Sequence, residues 1–390
     1  GMFLGALVGG IIGDKTGRRN AFILYEAIHI ASMVVGAFSP NMDFLIACRF
    51  VMGVGLGALL VTLFAGFTEY MPGRNRGTWS SRVSFIGNWS YPLCSLIAMG
   101  LTPLISAEWN WRVQLLIPAI LSLIATALAW RYFPESPRWL ESRGRYQEAE
   151  KVMRSIEEGV IRQTGKPLPP VVIADDGKAP QAVPYSALLT GVLLKRVILG
   201  SCVLIAMNVV QYTLINWLPT IFMTQGINLK DSIVLNTMSM FGAPFGIFIA
   251  MLVMDKIPRK TMGVGLLILI AVLGYIYSLQ TSMLLITLIG FFLITFVYMY
   301  VCYASAVYVP EIWPTEAKLR GSGLANAVGR ISGIAAPYAV AVLLSSYGVT
   351  GVFILRVAFS IIVAIAIATI GIETKGVSVE SLSIDAVVNK

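Results

Sequence analysis

Three charged signatures occur twice in this chain at almost constant separation, and each copy lies between long apolar runs. Asp14-Lys15-Thr16-Gly17-Arg18-Arg19 returns 241 residues later as Asp255-Lys256-Ile257-Pro258-Arg259-Lys260. Glu69 through Pro72 to Arg76-Gly77 returns 242 residues later, from Glu311 through Pro314 to Arg320-Gly321. Pro134-Glu135-Ser136-Pro137-Arg138 is echoed 238 residues later by Glu373-Thr374-Lys375-Gly376. Offsets this close to one another mark an internal duplication, so the fold must consist of two similar halves.

The segments between the signatures place those halves in lipid. Mean hydropathy is +0.78, with 57% apolar and only 13% charged residues, outside the range of a soluble chain of this length. Apolar runs occupy roughly 1–12, 21–38, 43–68, 80–104, 113–132, 197–223, 232–254, 261–279, 283–308, 322–344 and 349–371. Twelve residues of helix rise about 18 Å against a hydrocarbon core of about 30 Å, so the first run is too short to span. The expectation is an all-α membrane protein of about 11 transmembrane helices whose sequence starts inside a helix. Its parts are a first half at 1–132, a polar segment at 133–196 and a second half at 197–390. Duplicated bundles of membrane helices are the build of secondary transporters.

The net charge of +9 is distributed by topology and does not form a nucleic-acid surface. Lys and Arg crowd alternate loops, at 14–19, 73–76, 133–196, 255–260 and 315–321, while the opposite loops hold only Arg112 and Lys230. The positive-inside rule puts the crowded loops, the central segment and the C-terminus in the cytoplasm of a cell with an inner membrane. The partners expected are therefore the lipid bilayer and a small-molecule substrate, with no nucleic acid and a monomeric chain. Cys48, Cys94, Cys202 and Cys302 are isolated within apolar runs and suggest neither disulfide nor metal site. No H-E-x-x-H, G-x-G-D or nucleotide loop is present, which argues against an enzyme and against any cofactor other than a coupling proton. Between the halves, 135–163 has the spacing of a surface helix, and Lys166 to Pro184 reads as an extended linker.

Several of these motifs carry a family resemblance. Gly10-Ile11-Ile12-Gly13-Asp14-Lys15-Thr16-Gly17-Arg18-Arg19 resembles the loop between helices two and three of the major facilitator superfamily. Arg49-Phe50-Val51-Met52-Gly53-Val54-Gly55-Leu56-Gly57 resembles its helix-four motif. Pro134-Glu135-Ser136-Pro137-Arg138-Trp139-Leu140 and Glu373-Thr374-Lys375-Gly376 resemble the sugar-porter branch, with Ile372 where a proline is usual. The resemblance implies two six-helix halves, here lacking helix one and the start of helix two. It departs from hexose carriers in helix seven, which lacks the Gln-Gln pair, and in helix ten, where Tyr298, Tyr300, Tyr303 and Tyr308 replace Gly-Pro-x-x-Trp. That pattern is closer to the metabolite–proton symporter and organic-ion relatives of the sugar porters.

The resemblance also assigns roles. Asp14, Arg18, Arg19, Glu69, Arg76, Glu135 and Arg138 in the first half would form a cytoplasmic gate, with Glu69–Arg76 and Glu135–Arg138 as pairs. Asp255, Glu311, Lys318, Arg320 and Glu373 would do so in the second half, where Lys318 and Arg320 compete to pair with Glu311. Such charges hold one arrangement of helix ends and release it in another; topology and snorkelling alone would also place them there. Family helices one, four, seven and ten line the cavity. Asn208, Gln211, Tyr212 and Asn216 share one face of helix seven and, with Tyr300 and Tyr303, are the candidate substrate contacts. Asn88, Asn236 and Asn326 are further intramembrane polar candidates. Any of these could instead bond neighbouring helices.

Arg49 and Arg330 are charges inside spans, suited to coupling, to an anionic substrate or to interface bonds. Glu26 and His29 share a face of helix three and look like a proton relay, although that helix is peripheral in the family. Arg82 and Arg356 are expected to snorkel towards the interfaces. The reading is a rocker-switch secondary transporter of a small polar metabolite or organic ion, proton-coupled. A facilitative uniporter of a sugar or related solute, or a nutrient sensor, is the alternative.

Overall fold

The computed structural model describes residues 1–70, 76–168, 184–215, 217–224, 226–254, 256–280, 282–314 and 317–374, and all regular structure among them is helical. In chain order the helices begin with α1 (Met2–Thr16), α2 (Arg18–Ala37), α3 (Met42–Tyr70), α4 (Arg76–Asn88), α5 (Ser90–Leu101) and α6 (Ala107–Tyr132). Two polar helices follow, α7 (Pro137–Ser142) and α8 (Tyr146–Thr164). Then come α9 (Tyr185–Leu188), α10 (Gly191–Ile215), α11 (Leu218–Thr224), α12 (Leu229–Met240), α13 (Gly242–Val253), α14 (Arg259–Ser278) and α15 (Met283–Cys302). A π-helical segment (Tyr303–Tyr308) leads into α16 (Val309–Glu311) and α17 (Lys318–Ile370).

Eight helices among the described residues are long and apolar enough to cross a membrane, against eleven spans expected. The difference has three sources. Helix α1 is short, the region 80–104 is divided into α4 and α5, and α17 runs through two expected spans, its helical geometry broken only at Gly348 (φ 64°). Most of the expected linker, 169–183, lies outside the described residues.

The chain divides into two compact units, one of residues 1–79 with 101–176, the other of 80–100 with 177–390. In the first unit, α3 packs on both α1 and α2, and α6 packs on α2. The α1–α3 approach is backbone to backbone. A Cβ on Gly5 would lie 2.0 Å from the Val54 carbonyl oxygen, so only glycine fits. Ala21, Tyr25, Ala58 and Leu59 fill the centre, and the Tyr25 hydroxyl donates to the Gly9 carbonyl at 3.0 Å. In the second unit, α10 and α14 pack on α17 and α13 packs on α15, around a core that includes Leu199, Leu204, Leu267, Ile270 and Leu293. Leu121, Leu123, Ile124 and Leu128 on α6 are exposed, as are Leu284, Leu285, Leu288 and Phe292 on α15. Apolar stripes this continuous suit lipid as their solvent.

The duplication is visible in the backbone. Helices α2 and α14 are both 20 residues long and begin 241 residues apart.

Candidate functional site

Each unit closes one helix end with a carboxylate. The residues before α7 divide the work. Pro137 opens the helix, where its missing N–H costs nothing, and Ser136 Oγ accepts the Trp139 N–H at 3.3 Å as N-cap. That geometry leaves Glu135 free to reach α2. It accepts the backbone N–H of Arg18 at 2.7 Å and of Arg19 at 3.2 Å, and its own neighbour Ser136 at 3.0 Å. A helix N-terminus presents unpaired donors and the positive end of its dipole, so a carboxylate there is doubly favoured. Gly17 makes room for it. Its φ is 97°, and a Cβ there would fall 2.2 Å from Glu135 Oε2. Arg19 also donates to the Trp130 carbonyl, tying α2 to the end of α6.

The second unit builds the same clamp, and there an ion pair beside it is visible. Glu373 accepts the N–H of Arg259 at 2.7 Å and of Lys260 at 3.1 Å, at the start of α14. The Arg259 guanidinium, 6% exposed, then forks onto Glu311, with Nε to Oε2 at 3.0 Å and Nη2 to Oε1 at 3.1 Å. It also donates to the Met254 carbonyl, and the Thr374 hydroxyl donates to Glu311 Oε2 at 2.6 Å. The clamp forms although Pro258 stands where the first unit has Gly17.

The expected pairings change accordingly. Glu135 holds backbone, not Arg138, whose side chain is exposed. Glu311 is held by Arg259, a residue the sequence reading missed. The repeat offset was the available signal, since Arg259 stands to Glu373 as Arg18 stands to Glu135. The side chains of Asp14, Glu69, Arg76 and Lys318, and the whole of Asp255, lie outside the described residues, and Arg320 is half-buried. Beside the first clamp a cavity of about 390 Å³ is lined by Arg19, Glu135, Arg145, Glu148 and Lys151 among others. There the Arg145 hydrogen bond holds the Glu148 carboxyl below its ordinary range.

The intramembrane candidates of the second unit fall into two groups. Tyr300 and Tyr303 are fully buried in its core: the Tyr300 hydroxyl donates to the Val203 carbonyl at 3.2 Å, and Tyr303 stacks on Tyr308 at 5.1 Å. They form the packing behind a surface and do not face one. Asn208 is buried, spends its amide on the Leu204 carbonyl at 2.8 Å, and abuts Gly329. Asn88 and Asn326 likewise bond back to their own helices, at Ser84 and Ser322. Asn216 lies outside the described residues.

The second group includes residues that are only half-buried. Gln211 and Tyr212 are half-buried, and Tyr212 packs on Gly333, one helical turn from Arg330. Gln211 and Tyr91 approach the Tyr298 hydroxyl, which is buried without a hydrogen bond, and the Tyr91 and Tyr298 rings meet edge-on at 5.1 Å. Asn236 donates to Ser95 Oγ at 3.3 Å and leaves its Oδ1 unbonded. Tyr91, Ser95 and Tyr298 were not among the expected contacts, and Tyr91 sits on α5, which sequence order alone assigns to the other half. Arg330 is half-buried and has no carboxylate within ion-pair distance among the described residues. In the first unit Arg49 is exposed on α3, also without an acidic partner among them. Arg356 overturns the expectation of snorkelling. It is 1% exposed, its three nitrogens make no hydrogen bond, and it lies over the Phe353 ring against Gly274.

The description Major Facilitator Superfamily matches residues 1–337. YdjK of Escherichia coli (strain K12), named for metabolite transport, is 99% identical over all of this chain and 85% of its own length. The inner membrane metabolite transport protein YdjE of the same strain is 44% identical over 98% of this chain and 84% of its own. Among solved structures, the inward-open xylose transporter XylE from E. coli superposes with a TM-score of 0.72 at 17% identity, covering 98% of this chain and 85% of that one.

Proposed function

Because this chain belongs to the major facilitator superfamily, we propose that it is a secondary active transporter carrying a small organic anion together with a proton by alternating access of its two units. That it is a membrane transporter and not an enzyme follows from the family and the close relatives, and with it a small-molecule substrate and a lipid surround. The substrate class rests on Arg330. A half-buried guanidinium inside a span, with no acidic partner among the described residues, is costly unless a ligand supplies the negative charge. Tyr212 packs one helical turn away on Gly333, and the half-buried Gln211 and Tyr91 add amide and hydroxyl groups suited to a small carboxylate. The two carboxylate clamps act as the gate, holding helix ends in one conformational state. The basic loops and the C-terminus face the cytoplasm, the membrane is the inner one as for YdjE, and the chain works as a monomer.

Proton coupling is supported by XylE, a proton:xylose symporter. A facilitative uniporter of a neutral sugar-like solute is the second reading. It is favoured by the unbonded Tyr298 hydroxyl and Asn236 Oδ1, which suit substrate hydroxyl groups.

Uptake of labelled benzoate and labelled xylose into proteoliposomes separates the two. Benzoate accumulation that a proton ionophore abolishes, and that Arg330→Met weakens roughly 10- to 100-fold, is the expected result for loss of a charge-assisted contact. Xylose uptake indifferent to both changes would favour the uniporter.

A further inference from the structure

Glu26 and His29 sit near the middle of α2, and no part of the clamps or of the Arg330 face uses them. Their side chains are only 10% and 15% exposed, and Glu26 Oε2 faces His29 Nδ1 at 3.9 Å. Neither atom has a hydrogen bond. His29 is the single histidine of the chain.

Among the described residues, the elements packed around the pair bring no charge to it. A Cβ on Gly55 of α3 would meet His29 N at 3.1 Å, which fixes the level of α3. Helix α6 runs antiparallel to α2, anchored where Arg112 donates to the Ser39 carbonyl and where Arg19 donates to that of Trp130. Those anchors set Ala119, Ser122 and Thr126 level with the pair, supplying hydroxyls and no ionisable group. On α1, Asp14 and Lys15 lie at the far end, and on α6 so do Glu108, Arg112, Arg131 and Tyr132. On α3, Asp43, Glu69 and Tyr70 are terminal, Cys48 lies opposite Gly36, and Arg49 is exposed. On α2 itself, Arg18 and Arg19 are at the clamp, and the Tyr25 hydroxyl is committed to Gly9.

The duplication supplies the control. At the 241-residue offset that relates α2 to α14, Glu26 corresponds to Leu267 and His29 to Ile270, both 0% exposed. Packing at these positions is satisfied by apolar residues in one unit, so the ionisable pair in the other is an addition that packing does not need.

We propose that Glu26 and His29 together form a buried one-proton binding site, and that it carries the coupling proton. With one proton the pair is net neutral, either as acid and imidazole or as carboxylate and imidazolium. Without it, a net negative charge stays buried with no cation beside it among the described residues, which is unfavourable in a low-dielectric setting. The proton binds at Glu26 Oε2 or His29 Nδ1 and leaves from the same atoms, with no other bond made or broken. The α2 backbone at His29 rests against Gly55 of α3, the helix that bears Arg49, so the charge state of the pair acts on a helix packed against a cavity-lining helix of the family. The coupling role rests on the symport reading; proton binding does not.

The test uses the full-length protein in lipid, with infrared difference spectra of the carboxylic-acid carbonyl and nitrogen NMR of the imidazole. Between about pH 5 and pH 9 the wild type should show a single protonation step of the pair, read as a buried carboxylic-acid band that disappears while the His29 ring signals shift with the same midpoint. Glu26→Gln should remove that carbonyl band, and His29→Gln should keep it while moving its midpoint. A band that survives in Glu26→Gln, or two groups that never change protonation across that range, would overturn the site. A pair that titrates as expected, in a protein whose benzoate uptake ignores an imposed pH gradient, would overturn the symport reading and the coupling role but leave proton binding standing.

Discussion

Glu311→Gln is the most direct probe of the second clamp. The substitution keeps the length of the side chain and one acceptor oxygen but removes the charge that the Arg259 fork requires. Breaking a buried ion pair costs about 3–5 kcal/mol because the surviving charge is stranded. Here the Glu311 side chain is 35% exposed and the Met254 carbonyl still accepts from Arg259, so solvent and backbone recover part of that cost. The expected loss is about 1–3 kcal/mol. Equilibrium unfolding in mixed micelles would read it, completed into a cycle with Arg259→Met and the double variant. A coupling energy of about 1–3 kcal/mol between the two positions is expected for residues in direct contact. Thr374→Val, which deletes one hydroxyl bond to the same carboxylate, should cost about 1 kcal/mol. A coupling energy indistinguishable from zero would refute the argument that this pair closes the helix end.

The first clamp makes a contrasting prediction. Gly17→Ala should destabilise the protein by about 1–3 kcal/mol, since it adds a Cβ against Glu135 at a backbone geometry alanine disfavours, whereas Pro258→Gly should cost within about 1 kcal/mol. Chemical unfolding of the two variants side by side tests it, and equal losses would count against the steric account. Membrane orientation is checked at position 178: Lys178→Cys should react with an impermeant thiol reagent only from the cytoplasmic side, and labelling in intact cells would invert the topology.

The duplicated architecture was legible because charge is scarce in this chain. When only 13% of residues are charged, three repeated charged signatures stand out against the apolar background, and the structure places two of them at equivalent helix ends. Pairing within the clamps was less legible. Proximity in sequence suggested Arg138 for Glu135, but two of its donors are backbone N–H groups more than 110 residues away, and a sequence reading that counts side-chain charges overlooks them. Tyr300 and Tyr303 illustrate another limit. Their hydroxyls mark them as polar in the sequence, yet their rings are packed on every side, and residue type alone does not report which face of α15 turns outward. Arg356 shows the converse: a long cation was expected to reach solvent, while its guanidinium is buried against Phe353 and Gly274.

The π segment ahead of Glu311 gives the second clamp a property that the first does not share by the same means. A π turn stores one surplus residue relative to an α turn, and here Tyr303–Tyr308 holds that surplus. The near-parallel stack of Tyr303 on Tyr308, at 14° between planes, and the Ile372 N–H donated to the Tyr308 hydroxyl keep it in place. Moving one residue past a fixed point on a helix turns what lies beyond by about 100°. Glu311 stands three residues after Tyr308, so its angular position about the axis is set upstream, by whether the surplus is retained. The helix works as a camshaft: the carboxylate is the lobe, Arg259 is the follower, and the tyrosine stack sets the timing.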